Sequence, residues 1–233
     1  MMIKAVVFDL DGTLASFNVD YKAVRAEVRS FLIKRGLPAS VLSTNESIFE
    51  MLKKTEIFMK NNGKSEKTIG ELREKALTIA EKYELEAAKS TGLLSGVPET
   101  LKALKKMGLK IGLCTINSQK STSYILERFG ITNFFDAVTP RNKVKYVKPN
   151  TEHLEATLKA LGVKPDETVV VGDSRVDIKC AKELKAIAVG LPTGVASTEQ
   201  LINSGANYLI TSITNLPTLM EYIHKVSEAQ EKP

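Results

Sequence analysis

The chain begins with an apolar run that stops abruptly at an acidic turn. Residues 3–8 read Ile-Lys-Ala-Val-Val-Phe, and residues 9–13 read Asp-Leu-Asp-Gly-Thr. β-branched and aromatic residues favour strands, and a nearly continuous apolar run is typical of a strand buried on both faces. The pattern therefore predicts a buried strand that delivers two aspartates into the turn at its end.

A block of helical periodicity follows this strand. Between Val19 and Thr91, apolar residues recur every three or four positions among good helix formers. Turns rich in Gly, Pro and Asn separate three predicted helices, over residues 21–35, 46–60 and 66–90. We therefore expect an all-helical domain over residues 15–92.

From Leu93 onwards, strand-like and helix-like segments alternate. The predicted strands cover residues 110–115, 134–138, 168–171 and 186–189. One predicted helix follows Gly96-Val-Pro98, and the others cover residues 118–129, 151–161 and 175–184. Such alternation predicts an α/β fold with a doubly wound, Rossmann-like parallel sheet formed by residues 1–14 and 93–233. The helical domain interrupts this core after its first strand.

Composition and charge narrow the class of protein. With 43% hydrophobic and 26% charged residues, the 233-residue chain has the composition of an ordinary globular protein. The net charge is +6, but acidic residues are spread among the basic ones, so we expect small anionic substrates and no nucleic-acid partner. No apolar stretch approaches the roughly 18 residues of a membrane helix. The first apolar run is also too short for a secretion signal, so we expect no membrane partner and a cytoplasmic protein.

The cysteines and histidines leave carboxylates as the candidates for any metal site. The two cysteines, Cys114 and Cys180, match no zinc spacing and are expected to be small buried residues. His153 and His224 lie far apart and outside any HExxH motif. Metal binding or triad chemistry based on histidine is therefore not expected.

Asp9 and Asp11 are the first candidates for chemistry. Ligands of open parallel sheets bind beyond the carboxyl ends of the strands, which is where the first predicted strand places both residues. A carboxylate there can be a nucleophile or a metal ligand, and a second acid nearby stays partly protonated because like charge raises its pKa. The alternative is an ordinary Asp-Gly turn, which does not explain two acids beside an apolar strand.

Two further predicted strand ends carry groups that suit a phosphate. Thr115 ends a strand and precedes Asn117 and a helix, so a hydroxyl and backbone N–H groups can form an anion cradle. The alternative is that Ser118 or Asn117 merely caps that helix. Lys148 precedes Pro149 and can present its ammonium to the same edge. The alternative, which this pattern alone favours, is an ordinary surface lysine.

Asp173 and Asp177 follow the strand at residues 168–171 in the segment Gly-Asp-Ser-Arg-Val-Asp. They lie about one helical turn apart, so Asp177 can point back toward the strand end. Together with Asp9 they offer the oxygen ligands that Mg²⁺ prefers. The alternative is an N-cap at Asp173 or Ser174 with a favourably placed acid in the first helical turn.

In this order, these segments resemble the haloacid dehalogenase superfamily: DxDGT, a Thr after the second core strand, a Lys before Pro, and GDSxxD. The resemblance covers nearly the whole chain. It is to the phosphatases with a helical cap inserted after the first strand, similar to phosphoglycolate phosphatases. One departure is Asn150-Thr151-Glu152, where the family often has a further Pro and Asp, and this should affect helix capping more than chemistry.

The resemblance implies a role for each candidate residue. Asp9 is expected to be the nucleophile that becomes an aspartyl phosphate, and Asp11 the general acid and base. The phosphoryl group is expected to bind Thr115, Asn117 and Lys148. Mg²⁺ is expected to bind Asp9, the backbone carbonyl of Asp11, Asp173 and, directly or through water, Asp177. The helical domain is expected to act as a lid that selects the leaving group.

Asp11 separates the activities within this superfamily. A phosphate monoester releases an alkoxide that needs a proton, whereas a halide does not. We therefore predict a magnesium-dependent phosphohydrolase acting on a small phosphorylated metabolite. The alternatives are a sugar-phosphate mutase, a signalling domain that binds phosphate and metal, and a degenerate, non-catalytic binding module.

Overall fold

A computed structural model describes residues 2–16 and 18–230 of the chain, with the side chains of residues 228–230 left aside. The strands are β1 (Ala5–Phe8), β2 (Lys110–Thr115), β3 (Ala137–Pro140), β4 (Thr168–Gly172), β5 (Ile187–Gly190) and β6 (Tyr208–Leu209). The helices are α1 (Tyr21–Lys34), α2 (Ile48–Asn61), α3 (Glu66–Ser90), α4 (Val97–Lys106), α5 (Gln119–Arg128), α6 (Thr151–Leu161), α7 (Arg175–Glu183), α8 (Thr198–Asn203) and α9 (Leu216–Gln230).

The six strands form one parallel sheet in the order β3-β2-β1-β4-β5-β6. β1 lies between β2 and β4, and Val6 pairs with Ile111 on one side and Val169 on the other. Every residue of β1 is 0% exposed, which explains why the run carries no polar residue. The predicted doubly wound α/β fold is confirmed.

Helices cover the sheet and complete its core. α6 packs on β2 and β3, and α7 packs on β4 and β5. The shared core includes Leu154 and Leu158 of α6, Ile178 of α7, and Val7 and Val170 of the strands. The two cysteines, Cys114 and Cys180, are free thiols buried in this core, as the sequence predicts.

The helical segment after β1 forms a unit of its own. The chain divides into Met1–Phe17 with Thr91–Pro233 and a second unit, Asn18–Ser90. Within the second unit α1, α2 and α3 pack against one another around apolar residues spaced by helical turns, such as Val24, Val28 and Leu32. The predicted domain ranges include Met1, Phe17 and residues 231–233, which lie outside the described residues. A cap role for residues 15–92 stays a prediction.

The longest helix, α3, is amphipathic rather than apolar all round. Its buried positions include Ile69, Leu72, Ala76 and Ala80, while charged residues occupy much of the remaining surface. Across the described part of the chain, none of the helices combines the length and apolar content needed to cross a membrane.

The position of β3 differs from the sequence-based prediction. A strand was expected over residues 134–138, but β3 begins at Ala137 because residues Thr132–Phe134 form a 3-10 turn. Asp136 marks the change: its N–H donates to the carbonyl of Ile111 at 2.8 Å, and its Oδ2 accepts from the N–H of Ile111 at 2.7 Å. The pairing with β2 therefore starts only after the turn.

Candidate active site

The carboxyl ends of three adjacent strands bring together most of the predicted site residues. Asp9 follows β1, Thr115 is the last residue of β2, and Asp173 follows β4. The N–H of Asp9 donates to the carbonyl of Val171 at 3.0 Å, which extends the pairing of β1 with β4. The strand pairing of the sheet thus fixes the backbone positions of these polar residues.

The turn after β1 depends on a glycine. The N–H groups of Leu14 and Ala15 both donate to the carbonyl of Leu10 at 2.9 Å. Gly12 has a φ of +79°, which side chains disfavour. A Cβ at Gly12 would also lie 2.6 Å from the carboxylate carbon of Asp173. Gly12 therefore allows both the tight turn and the close approach of the two acidic segments.

Lys148 links Asp9 and Asp177 through its ammonium group. Its Nζ donates to Asp9 Oδ1 at 2.8 Å, to Asp177 Oδ1 at 2.6 Å and to the carbonyl of Cys114 at 2.7 Å. The side chain is 5% exposed, so the alternative of a surface lysine does not hold. Burial alone would lower its pKa, but Asp177 and Asp9 raise the pKa of Lys148 well above its usual value, and the ammonium stays charged.

Asp9, which is partly buried, forms a cluster of carboxylates with the buried Asp173 and Asp177. One oxygen of each lies within 4.8 Å of the others. Burial and the charge of Asp177 raise the pKa of Asp9 to about 6, although Lys148 opposes the shift. Burial and the charges of Asp9 and Asp177 raise the pKa of Asp173 to about 8. One ammonium bridges two of the three carboxylates. The all-oxygen donor set of the cluster fits a hard divalent cation such as Mg²⁺.

Asp177 occupies the capping position that the sequence offers as the alternative to metal binding. Ser174 is the N-cap of α7, and Asp177 completes a capping box with it. The backbone N–H of Ser174 donates to Asp177 Oδ2 at 3.2 Å, and the Ser174 hydroxyl also hydrogen-bonds that oxygen. Both oxygens of Asp177 therefore accept hydrogen bonds, one from Ser174 and the other from Lys148.

Asp11 lies in the turn after β1, but its carboxylate is not one of the three that cluster. The residue is 9% exposed, and its backbone forms a bridge with Ala15. This placement agrees with a role for the Asp11 carboxyl group other than side-chain metal binding.

The predicted phosphate cradle is buried at the start of α5. Thr115 Oγ1 accepts from the N–H of Asn117 at 3.2 Å. Ser118, not Asn117, is the N-cap, because its hydroxyl accepts from the N–H of Ser121 at 3.2 Å. Asn117 is 1% exposed, and its Oδ1 has no hydrogen-bond partner among the described residues. Such a buried polar atom normally needs a partner.

His153 supports the segment that carries Lys148, a role that the sequence analysis missed. The imidazole is 0% exposed; Nδ1 accepts from the N–H of Lys148 at 3.4 Å, and Nε2 lies 2.9 Å from the carbonyl of Thr139. Burial and the nearby Lys148 charge lower the pKa of His153 to about 4, so the ring is neutral at pH 7 and donates through Nε2. Nothing in the local sequence indicates this contact.

Arg141 supports the loop between β2 and α5, a second role that the sequence does not reveal. It is 4% exposed; its Nη1 donates to the carbonyl of Ile116 at 3.1 Å, and its backbone N–H donates to the carbonyl of Asn117 at 3.1 Å. These two bonds hold the loop between β2 and α5 against the end of β3. In the sequence, Arg141 is indistinguishable from its basic neighbours.

The raised pKa of Asp173 predicts a stabilising substitution. A carboxyl group with a raised pKa in the folded protein contributes stability below its unfolded pKa of 3.8, and this contribution is lost as the pH rises through about 8. We therefore expect Asp173→Asn to raise the metal-free Tm at pH 8 by at least about 2–4 °C, which corresponds to about 1 kcal/mol for a chain of this size. Calorimetry at pH 8 and pH 5 measures this, and the gain should shrink at pH 5.

The matched control is Asp166→Asn, because Asp166 is exposed and lies in the 3-10 turn before β4. It should change Tm little at either pH. An Asp173→Asn variant that is no more stable than the original protein at pH 8 would contradict the claim that the charged form of Asp173 destabilises the metal-free cluster.

Comparisons with known proteins cover nearly the whole chain. The sequence model of the haloacid dehalogenase-like hydrolase family matches residues 6–190, which include every candidate site residue. Glyceraldehyde 3-phosphate phosphatase of Methanocaldococcus jannaschii is 31% identical over 96% of this chain and 100% of its own length. Phosphoglycolate phosphatase of Neisseria meningitidis serogroup A is 26% identical over 98% of this chain and 97% of its own. A beta-phosphoglucomutase structure from Clostridium difficile has a TM-score of 0.66 at 25% identity and 96% coverage of both chains.

Proposed function

The chain belongs to the haloacid dehalogenase-like hydrolase family and is a phosphatase, and from that premise we propose that it hydrolyses a small phosphorylated metabolite through an aspartyl phosphate on Asp9 with the help of Mg²⁺. The observation that carries the proposal is the convergence of Asp9, Lys148 and Asp173, which are far apart in sequence, at one edge of the sheet. Relatives named for phosphoglycolate and glyceraldehyde 3-phosphate support a small substrate.

The proposed reaction has two displacements at phosphorus. In the first, an Asp9 carboxylate oxygen forms a bond to phosphorus while the bond to the ester oxygen breaks, and Asp11 gives that oxygen a proton. In the second, Asp11 takes a proton from water, the water oxygen attacks phosphorus, and Asp9 is released as the carboxylate. Thr115 and Asn117 hold the phosphoryl oxygens during both steps.

Lys148 keeps the nucleophile reactive in this proposal. Burial favours the neutral form of Asp9, which is a poor nucleophile. The ammonium of Lys148, 2.8 Å from Asp9 Oδ1, favours the carboxylate instead. The same positive charge also attracts the substrate's phosphoryl group.

When bound, Mg²⁺ supplies positive charge that stabilises the negative charge developing on the phosphoryl oxygens. We propose that Asp9, Asp173 and the backbone carbonyl of Asp11 would hold it. Because both oxygens of Asp177 already accept hydrogen bonds, Asp177 would act through water. We also propose that residues 15–92 act as the cap that selects the leaving group.

A sugar-phosphate mutase is the second candidate, because the beta-phosphoglucomutase structure shares the fold at 25% identity. The two activities differ in which oxygen receives the phosphoryl group: water in a phosphatase, and a sugar hydroxyl in a mutase. Phosphate release should be measured with phosphoglycolate, glyceraldehyde 3-phosphate, pyrophosphate and glucose 1-phosphate, with and without Mg²⁺. We expect magnesium-dependent release from at least one of them. Interconversion of sugar phosphates without release would indicate the mutase, and the absence of any turnover a binding module.

The dual role of Asp11 predicts that Asp11→Asn behaves differently with two types of ester. With p-nitrophenyl phosphate, whose leaving group is stable as an anion, the first step should slow little and the second about 100-fold to 10,000-fold. We expect a burst of nitrophenol near one equivalent, followed by slow turnover. An alkyl phosphate should lose both steps and show almost no reaction. Rapid-quench kinetics measures both esters.

Each ester serves as the control for the other in this experiment. Equal losses for both esters, with no accumulated phosphoenzyme, would remove Asp11 from acid–base catalysis. Asp11 would then be a structural residue or part of the metal shell.

A further inference from the structure

The loop after β5 holds the carboxylate of Asp173. The backbone N–H of Val195 donates to Asp173 Oδ2 at 2.8 Å. The N–H of the next residue, Ala196, donates to the backbone carbonyl of Asp173 at 3.2 Å. Asp173 is 2% exposed, whereas Thr193, Gly194 and Val195 are exposed, so the bond from Val195 is partly buried. The loop therefore contacts both the side chain and the main chain of this candidate metal ligand.

Gly194 lets the loop come this close. A Cβ at Gly194 would lie 1.9 Å from Oδ2 and 2.5 Å from the carboxylate carbon of Asp173, far inside any permitted contact. A Cβ at Gly12, in the turn after β1, would lie 2.6 Å from the same carboxylate. Two glycines thus pack against one carboxylate, and their backbones restrict the directions in which it can point.

Thr193 connects the loop to the turn after β1. Its hydroxyl hydrogen-bonds the carbonyl of Gly12. At the start of the loop, the N–H of Leu191 donates to the carbonyl of Gly172 at 3.0 Å and extends the pairing of β5 with β4. The loop is therefore anchored at the sheet and at the turn that follows the nucleophile.

We propose that the segment Thr193–Val195 is a positioning element that orients the Asp173 carboxylate for Mg²⁺, with Gly194 and Thr193 as its positioning residues. This rests on the proposed function, in which Asp173 binds the metal. Mg²⁺ demands nearly ideal octahedral geometry, whereas Ca²⁺ accepts irregular sets of six to eight oxygens. A misdirected carboxylate therefore weakens Mg²⁺ binding more than Ca²⁺ binding. The loop contributes selectivity as well as affinity.

Gly194→Ala tests this through metal binding to the full, metal-free chain, measured by calorimetric titration. The new methyl group must displace the carboxylate, so we expect the Kd for Mg²⁺ to rise about 10-fold to 100-fold, as is usual for groups that orient a metal ligand. The Kd for Ca²⁺ should rise much less. Gly92→Ala is the matched control, because a Cβ at Gly92 meets nothing within 4 Å and its φ is not positive. It should leave both constants unchanged.

Thr193→Val is the second variant, and it tests the positioning role of the loop if Gly194→Ala does not fold. It keeps the side-chain shape but removes the hydrogen bond to Gly12, and we expect a smaller rise in the Kd for Mg²⁺ of about 3-fold to 10-fold. An unchanged Kd for Mg²⁺ in the folded loop variants, or an equal rise for both ions, would overturn the proposal.

Asp173→Asn distinguishes the failure of this inference from the failure of the proposed function. If Asp173→Asn weakens Mg²⁺ binding and the loop variants do not, the positioning role is wrong and the metal role of Asp173 stands. If Asp173→Asn leaves the Kd for Mg²⁺ unchanged, both the metal role and the positioning role are wrong.

Discussion

Asp9→Asn is expected to lower phosphatase activity by a factor of about 10⁴ or more while leaving the fold intact. An amide is a poor nucleophile and cannot form the acyl phosphate on which the proposed reaction depends. The amide oxygen can still accept the hydrogen bond from Lys148 Nζ, so the segment should keep its position. Steady-state kinetics on the best substrate measures the loss, and circular dichroism with thermal unfolding checks the fold.

The control for this substitution is again Asp166→Asn, which makes the same chemical change at an exposed position. It should retain full activity. Residual activity of Asp9→Asn above about one per cent, after deamidation has been excluded by mass spectrometry, would contradict the assignment of Asp9 as the nucleophile.

Lys148→Met is expected to reduce both stability and activity. The substitution keeps the apolar stem but leaves the partly buried Asp9 and the buried Asp177 without the ammonium that bridges them. Removing one partner of a buried ionic group typically costs about 3–5 kcal/mol. We expect the metal-free Tm at pH 8 to fall by about 6–12 °C or more, and kcat/KM to fall about 100-fold or more because a positive charge beside the phosphoryl group is lost.

The pH dependence of the Tm loss in Lys148→Met distinguishes the loss of charge pairing from a packing defect. The penalty of Lys148→Met comes from ionised carboxylates, so it should shrink at pH 5, where Asp9, whose pKa is about 6 even beside Lys148, becomes protonated. A packing defect would persist at both pH values. Lys102→Met on the exposed surface of α4 is the control and should change Tm little. A Lys148→Met variant as stable as this control at pH 8 would contradict the bridging role.

The sequence predicts where the acidic residues of the candidate site lie in the fold, because their position follows from a local pattern. Asp9 and Asp173 each come directly after a run of buried apolar residues, and parallel strands deliver such residues to one edge of the sheet. The same rule brings Thr115 to that edge. Predicting that these residues lie at the carboxyl edge does not require the strand order, because each of them follows its own strand.

The supporting contacts could not be predicted because they join residues that are distant in the chain. Val195 reaches Asp173 through its backbone N–H, a group that every residue except proline carries, so the side chain gives no signal. His153 is a lone histidine whose partners become apparent only once β3 and α6 are packed. Lys148 was identified by its place before Pro149, but its three acceptors depend on the tertiary fold.

Direct detection of the phosphorylated residue tests the central claim most sharply. Asp11→Asn should accumulate the intermediate, so this variant is mixed with Mg²⁺ and p-nitrophenyl phosphate, quenched in acid within the burst, and reduced with borohydride. Borohydride converts an aspartyl phosphate to homoserine, which peptide mass spectrometry locates in the chain. The proposed mechanism predicts homoserine at position 9, only when substrate is present, in an amount that matches the nitrophenol burst. A burst without modification of Asp9, or with modification of another carboxylate, would contradict it.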